Sequence, residues 1–186
     1  ILRAVGHAPT RFSEDALRIL RGVRFAARFR LVPEASTLDA MVQLCPTLDK
    51  LARERVFEEL CKLLFVAQPE DLLRYSHILA AAIPELKPMI GFDQRSPHHA
   101  YDIYTHVAGV VAGVPADLPL RWAALLHDIG KVPTFTVDET GRGHFYDHAA
   151  RGAEMADAIL RRLKAPNALR EQVVLLIRQH MLPLEP

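Results

Sequence analysis

The sequence has few of the features that mark several common classes of protein. Its two cysteines, Cys45 and Cys61, match neither a CxxC motif nor a disulfide framework. No apolar run approaches the roughly 18 residues that a membrane-spanning helix needs, and no signal-peptide pattern is present. The formal net charge is only +1, so total charge gives no argument for nucleic-acid binding. These absences predict a cytoplasmic chain with reduced thiols and no membrane partner.

What the sequence does contain is apolar residues in quantity and a local excess of arginine. Half of the 186 residues are hydrophobic, enough for a sizeable core in one domain or two small ones. The first thirty residues hold only two acidic residues, Glu14 and Asp15, against seven arginines: Arg3, Arg11, Arg18, Arg21, Arg24, Arg28 and Arg30. Such a segment attracts phosphates, or it forms a solvated helix face. The chain opens on Ile1 without a methionine, which predicts a fragment.

Apolar residues recur at helical spacing along most of the chain, so we expect an all-α fold. The predicted helices cover residues 13–29 (with Ser13 as the cap), 36–44, 53–66, 69–82, 98–113, 117–129, 148–164 and 167–181. The segment TFTVDETGRGHFYDH, residues 134–148, predicts an irregular loop or small hairpin. Prolines and a glycine crowd together near residue 90 and predict a boundary between a region 1–90 and a domain 91–186.

Seven of the nine histidines follow that boundary: His98, His99, His106, His127, His144, His148 and His180. His99 and His106 are seven residues apart and share a helix face with Asp102, a suitable partner for orienting a ligand imidazole. His127 and Asp128 end a later helix, and His148 and His180 lie on two more. We expect His98 and His144 to be surface or loop residues; the alternative is that either one approaches a bound phosphate.

Four helices that each contribute an inward-facing ligand would build a metal site in the core of a helical bundle. Imidazole and carboxylate together favour Mn, Fe, Co, Ni or Zn over calcium. The alternative is purely structural: Gly130 is a helix stop signal and Lys131 a cation at the negative end of a helix dipole.

The run LLHDIGK, with one histidine upstream and others downstream, resembles the HD-domain phosphohydrolases. The resemblance implies that this part of the chain is a metal-dependent phosphohydrolase. His127, Asp128 and Lys131 would be its catalytic residues, and Lys131 would contact phosphate. It implies five metal ligands: His106, His127, Asp128, His148 and His180. The usual last aspartate of the family is not found. Asp157 lies nine residues beyond His148 and is expected to face away, so the chain is truncated before that ligand or the site is incomplete.

The segment RFSEDALRILRGVRFAARFRL, residues 11–31, resembles the neck of bacterial CCA-adding enzymes, the class II tRNA nucleotidyltransferase and poly(A) polymerase family. The family's E-D-x-x-R motif is present at residues 14–18. The resemblance implies that Asp15 and Arg18 select the base of CTP or ATP and that Arg21 and Arg24 contact the nucleotide, with tRNA as the second substrate.

In a second segment, RERVFEELCKLL at residues 53–64, the resemblance implies that Glu54, Arg55 and Glu59 brace the helix of the E-D-x-x-R motif. Enzymes of this family hold Mg²⁺ for nucleotidyl transfer in a separate palm domain with a D-x-D pair of aspartates. The given sequence contains no counterpart of that domain, because no D-x-D pair lies in a plausible strand. The fragment alone is therefore not expected to add CCA.

Three hypotheses stay open at this point. The chain is the neck and HD part of a tRNA nucleotidyltransferase whose HD domain hydrolyses phosphoesters. Alternatively, its HD region is a non-catalytic helical scaffold that supports tRNA. In the third hypothesis, it is a stand-alone HD nucleotide phosphohydrolase, and the neck resemblance carries no meaning.

Overall fold

The computed structural model describes residues 1–95 and 101–182. Within them the chain is mainly helical, with one two-stranded hairpin, which confirms the all-α prediction. The α-helices are α1 (Ala8–Glu14), α2 (Leu17–Phe29), α3 (Ala35–Leu44), α4 (Arg53–Val66), α5 (Pro69–Arg74), α6 (Ser76–Ala82), α7 (Ile103–Gly113), α8 (Leu118–Leu126), α9 (His148–Arg162) and α10 (Asn167–Gln179). Short 3₁₀ helices cover Cys45–Lys50, Pro84–Met89 and Val132–Thr134. None of the described helices is long and apolar enough to cross a membrane.

Helices from both sides of residue 90 contribute to one continuous hydrophobic core. The fully buried Trp122 of α8 stacks on Phe57 of α4 with ring centroids 5.6 Å apart, and its indole N–H donates to the Sγ of Cys61 at 3.3 Å. The hydroxyl of Tyr104 in α7 donates to the carbonyl of Leu72 in α5 at 3.0 Å. The division into 1–90 and 91–186 stays a prediction about sequence organisation, since the two regions are packed together.

Two predicted helices are interrupted. The helix expected over residues 13–29 is two helices with a break at Asp15 and Ala16, so Ser13 is not a cap but belongs to the last turn of α1. There its hydroxyl donates to the carbonyl of Pro9, a bond that competes with capping. Asp15 starts the next helix by accepting a hydrogen bond from the Leu17 N–H at 3.0 Å. The helix expected over 69–82 is divided at Tyr75.

Asp102 is not on the face of a helix, contrary to the sequence prediction. It is the N-cap of α7, and its carboxylate accepts from the N–H of Thr105 at 2.6 Å and from the N–H of Gly91 at 2.7 Å. Satisfying the unpaired N–H groups of the first helical turn turns this side chain along the helix axis. The predicted helix face shared by Asp102 and His106 was therefore wrong, because Asp102 precedes the first helical residue. His98 and His99 lie outside the described residues.

The segment predicted as a loop or small hairpin forms an antiparallel hairpin of β1 (Phe135–Val137) and β2 (Gly143–Phe145). Asp138 holds its turn: one carboxylate oxygen accepts from the N–H groups of Thr140 and Arg142. The hairpin thus lies between α8 and α9, beside the residues that carry the predicted site.

Candidate functional site

The predicted metal ligands come together around one carboxylate. Asp128 is almost completely buried just after the end of α8. The Nε2 atoms of four histidines lie within 3.9 Å of its oxygens: His127 at 3.3 Å, His106 at 3.7 Å, His148 at 3.7 Å and His180 at 3.9 Å. These side chains come from α7, the end of α8, the start of α9 and the end of α10, as the helical-bundle reasoning predicted.

The local fold fixes the orientation of three of these imidazoles. The Nδ1 atoms of His127, His148 and His180 contact backbone carbonyls three residues earlier, at 2.8, 2.9 and 2.6 Å. A carbonyl oxygen only accepts hydrogen bonds, so each Nδ1 carries the proton and each Nε2 is left for a ligand. His148 and His180 even face each other through their Nε2 atoms at 3.3 Å. Such an arrangement favours a cation between them.

The electrostatics of the cluster also fit a divalent ion. Burial opposes ionisation of Asp128, but the imidazole of His127 and the ammonium of Lys131 outweigh it and hold the pKa of the carboxyl below its ordinary value. Burial lowers the pKa of His180, which favours the neutral, ligating imidazole. Asp128 Oδ2 is buried, and its contact with Lys131 is an ion pair at 2.9 Å rather than a hydrogen bond of normal geometry. A buried carboxylate surrounded by imidazole Nε2 atoms suits a metal.

The donor atoms fall into two sets of three that share Asp128. One set is His106, His127 and Asp128, and the other is Asp128, His148 and His180. Within each set the candidate ligand atoms lie within 4.8 Å of one another. Three protein ligands per ion leave open positions, which is the pattern of catalytic rather than structural metal sites.

Lys131 is buried in the same site, and its contacts include a residue that the sequence analysis missed. Its ammonium lies 2.9 Å from Asp128 Oδ2, 3.3 Å from Gln94 Oε1 and 5.3 Å from the centre of the Phe145 ring. The buried Gln94 also donates through Nε2 to the carbonyl of Tyr101 at 3.0 Å. Only the tertiary contact identifies it, because Gln94 lies 37 residues before Lys131 in a proline-bounded loop.

The cluster forms the floor of an open pocket of about 460 Å³. The hairpin segment forms a wall of this pocket, to which Arg142 and Tyr146 contribute. His144, expected to be a surface or loop residue, lies on this rim. There its Nε2 is 2.7 Å from a carboxylate oxygen of Asp138. The pocket is large enough for more than a phosphate group.

None of the later aspartates in the described residues completes the ligand set. Asp157 faces away from the cluster, as predicted, and pairs with Arg161 at 2.7 Å and with Arg170 at 3.2 Å. Asp138 is held by the hairpin, and Asp147 is the N-cap residue of α9.

The predicted nucleotide-selecting residues lie at the opposite end of the chain. Arg18 pairs with Glu14 at 2.6 Å and donates to the carbonyl of Arg11 at 2.9 Å. Arg18 and Arg21 line a second, smaller cavity of about 220 Å³. Asp15 precedes α2 and lies 3.5 Å from Arg55, so the four predicted residues do not follow a single helix.

Of the three α4 residues expected to brace the segment with the E-D-x-x-R motif, two contact it. Glu59 is buried and lies 2.7 Å from Arg24 and 3.4 Å from Arg21. Arg55 lies beside Asp15. Glu54 does not brace α2: it points the other way and pairs with Lys164, beyond the end of α9, at 2.8 Å.

Two family models match the chain in order: the model described as a probable RNA and SrmB-binding site of polymerase A over residues 30–90, and the HD domain over residues 103–186. The second match covers the region that carries the five residues of the Asp128 cluster. An HD-type helical domain carries the cluster, which confirms that resemblance.

Similar proteins confirm the resemblance to CCA-adding enzymes. The chain is 38% identical to the multifunctional CCA protein of Cupriavidus metallidurans over 96% of its own length and 45% of that relative. The multifunctional CCA protein of an Azoarcus species gives the same figures, and that of a Janthinobacterium species is 36% identical over the same shares. The chain thus spans a little under half the length of these relatives.

Proposed function

We propose that this chain is the neck and HD portion of an enzyme that adds CCA to tRNA 3′ ends from CTP and ATP in the cytoplasm. The observation that carries the proposal is similarity over 96% of the chain to multifunctional CCA proteins. The order of the two family matches, RNA-binding before HD, agrees with it. In the complete enzyme, a palm portion with paired aspartates would hold Mg²⁺ for nucleotidyl transfer.

In this proposal Asp15 and Arg18 select the base, and Arg21 and Arg24 contact the nucleotide. An aspartate accepts from an exocyclic amine, and an arginine offers paired donors to ring acceptors. The buried Glu59 supports the proposal because it holds Arg21 and Arg24 at fixed positions beside Arg18.

The test uses the complete parent enzyme. Asp15→Asn and Arg18→Ala should alter the ratio of CTP to ATP incorporation into tRNA. The control is Arg28→Ala, an exposed arginine on the same helix. Unchanged nucleotide choice in both neck variants would contradict the assignment. A gene with no D-x-D palm upstream of this region would favour the stand-alone HD phosphohydrolase instead.

For the HD domain we propose metal-dependent phosphoester hydrolysis. His106, His127, Asp128, His148 and His180 would hold the metal, and the element among Mn, Fe, Co, Ni and Zn stays open. When bound, a divalent ion supplies Lewis-acid activation of water and neutralises charge developing at phosphorus. The chain's own contribution is to orient three of the imidazoles through Nδ1, so that Nε2 faces the metal, and to place the ammonium of Lys131 at the pocket wall for a phosphoryl oxygen.

The experiment is metal analysis of protein prepared without chelator, combined with hydrolysis of a generic phosphodiester and of 2′,3′-cyclic AMP. We expect about one equivalent of metal or more per chain. Metal and turnover should both be lost in His127→Ala and retained in His77→Ala, which removes an exposed histidine outside the cluster. Metal-free, inactive wild-type protein would support the scaffold hypothesis.

A further inference from the structure

The hairpin presents two stacked aromatic rings at the mouth of the histidine pocket. His144 and Tyr146 are two residues apart, and their rings are nearly parallel, with an interplanar angle of 6° and centroids 5.3 Å apart. Both residues line the pocket whose floor is the Asp128 cluster. Neither takes part in the metal sets described above, so the proposed chemistry leaves this pair unused.

The pair is held rigidly at one end and open at the other. Asp138 fixes the imidazole of His144 at 2.7 Å and also holds the turn through the N–H groups of Thr140 and Arg142. Tyr146 is 68% exposed, so much of its ring meets solvent. A pre-oriented, exposed aromatic surface can accept a third flat ring with little loss of conformational entropy.

Cationic side chains near the two stacked rings are suited to bind a phosphate group attached to a third ring. Arg142 lies on the same wall of the pocket, and Lys131 lies deeper, beside Asp128. In the described part of the chain no carboxylate pairs with the Arg142 guanidinium, which leaves it available to a phosphoryl oxygen. The pocket of about 460 Å³ is within the range that holds small organic ligands.

We propose that His144 and Tyr146 form a subsite that stacks the base of a nucleotide phosphoester whose phosphate reaches the Asp128 cluster. This inference rests on the proposed hydrolase function, and it assigns two side chains outside the metal sets to recognition of the base of the substrate. Stacking on an aromatic side chain tolerates any base, so the subsite selects for the presence of a base and not for its identity.

The test compares two product-like ligands by calorimetry in Mn²⁺-containing buffer: AMP, which has a base, and ribose 5-phosphate, which lacks one. We expect the wild-type protein to bind AMP more tightly. Tyr146→Ala should weaken AMP binding about tenfold and leave ribose 5-phosphate unchanged. Tyr146→Phe keeps the ring and should bind AMP like the wild type. The control is Tyr101→Ala, which removes an equally exposed tyrosine from outside the residues lining the pocket.

Equal affinity of the wild-type protein for both ligands would overturn the proposal, as would equal weakening of both in Tyr146→Ala. Thermal unfolding of each variant separates a local loss of stacking from loss of the fold. Failure of the proposed hydrolase function has a different signature: the wild-type protein then binds no Mn²⁺ and turns over no diester. Failure of the subsite alone leaves Mn²⁺ binding and diester turnover intact and removes only the preference for AMP.

Discussion

At the scale of single residues, Gly130 shows that a familiar signal can have an unexpected cause. A glycine after a helix is normally a stop signal with a positive φ, but Gly130 is not among the glycines with positive φ. A Cβ at this position would collide with the carbonyl oxygen of His148 and the backbone of Gly152 in α9. The glycine therefore permits the close approach of α9 to the end of α8, and this approach places His148 beside Asp128.

Gly130→Ala should destabilise the protein by about 1–3 kcal/mol, because rigid backbone lies in the path of the new methyl group. It should also weaken metal binding by displacing His148. Gly109→Ala in α7 is the matched control: nothing lies within 4 Å of its Cβ, so we expect a slight stabilisation of about 0.5–1 kcal/mol. Urea unfolding and metal titration measure both effects, and equal stability of the two variants would refute the explanation.

Gln94 is a second residue whose effect can be isolated. Gln94→Leu keeps a side chain of similar volume but removes the oxygen that accepts from Lys131. We expect weaker binding of inorganic phosphate, by about 1 kcal/mol, with metal affinity retained. In a Lys131→Met background the same change should have no further effect on phosphate binding. If Gln94→Leu weakened phosphate binding equally in both backgrounds, Gln94 would not act through Lys131.

At the scale of elements, α2 and α4 are joined by charges as well as by apolar contacts. Burial of Glu59 is tolerated because Arg24 and Arg21 reach its two carboxylate oxygens. Removing the charge of Glu59 would leave two arginines without their partner at a partly buried site. The arrangement explains why a glutamate occupies an otherwise apolar face of α4.

Glu59→Gln should therefore lower the free energy of unfolding by about 2 kcal/mol, less than for a fully buried pair because Arg21 is half exposed. The neighbouring Glu58→Gln changes an exposed residue and should stay within about 0.5 kcal/mol of the wild type. Denaturant unfolding of the three proteins tests this. Similar values for both variants would mean that the buried carboxylate does not stabilise the contact between α2 and α4.

At the scale of the whole molecule, ion pairs tie the regions before and after residue 90 together at the rim of the shared core. Arg162 of α9 donates two hydrogen bonds to Glu85, at 2.6 and 2.7 Å. Burial raises the pKa of Glu85, but the hydrogen bonds and charge of Arg162 outweigh it, so the pKa is lowered overall. A carboxyl with a lowered folded-state pKa stabilises the fold above its unfolded pKa, and this contribution is lost as pH falls through the folded value.

Glu85→Gln should thus reduce stability at pH 7 by up to about 1 kcal/mol, since both partners are partly exposed, and should have less effect at an acidic pH below the lowered pKa of the Glu85 carboxyl. Urea unfolding at the two pH values measures the difference. Glu54→Gln, which removes the more exposed pair with Lys164, is the control and should change stability less. A loss in Glu85→Gln that did not depend on pH would show that the pair acts by packing alone.

The sequence by itself predicted the helical class from its periodicity, and the resemblance of its motifs to the HD domain predicted the five candidate ligands, because periodicity and short motifs are properties of neighbouring residues. It also predicted the hairpin segment, from its central glycines and alternating pattern. The sequence did not place Asp102 correctly. The same residue is a cap or part of a helix face depending on where the helix begins, and the sequence pattern did not fix that first residue.

Only the tertiary structure decided that Asp128 is the common centre, that the imidazoles turn Nε2 toward it, that His144 and Tyr146 line the same pocket, and that Gln94 contacts Lys131. These relations join residues up to 74 positions apart, from His106 to His180, and depend on how closely helices approach. Gly130 is the clearest case. A helix stop was one sequence interpretation of it, but α8 ends at Leu126, and the physical reason for the glycine is a neighbouring backbone that no local pattern reveals.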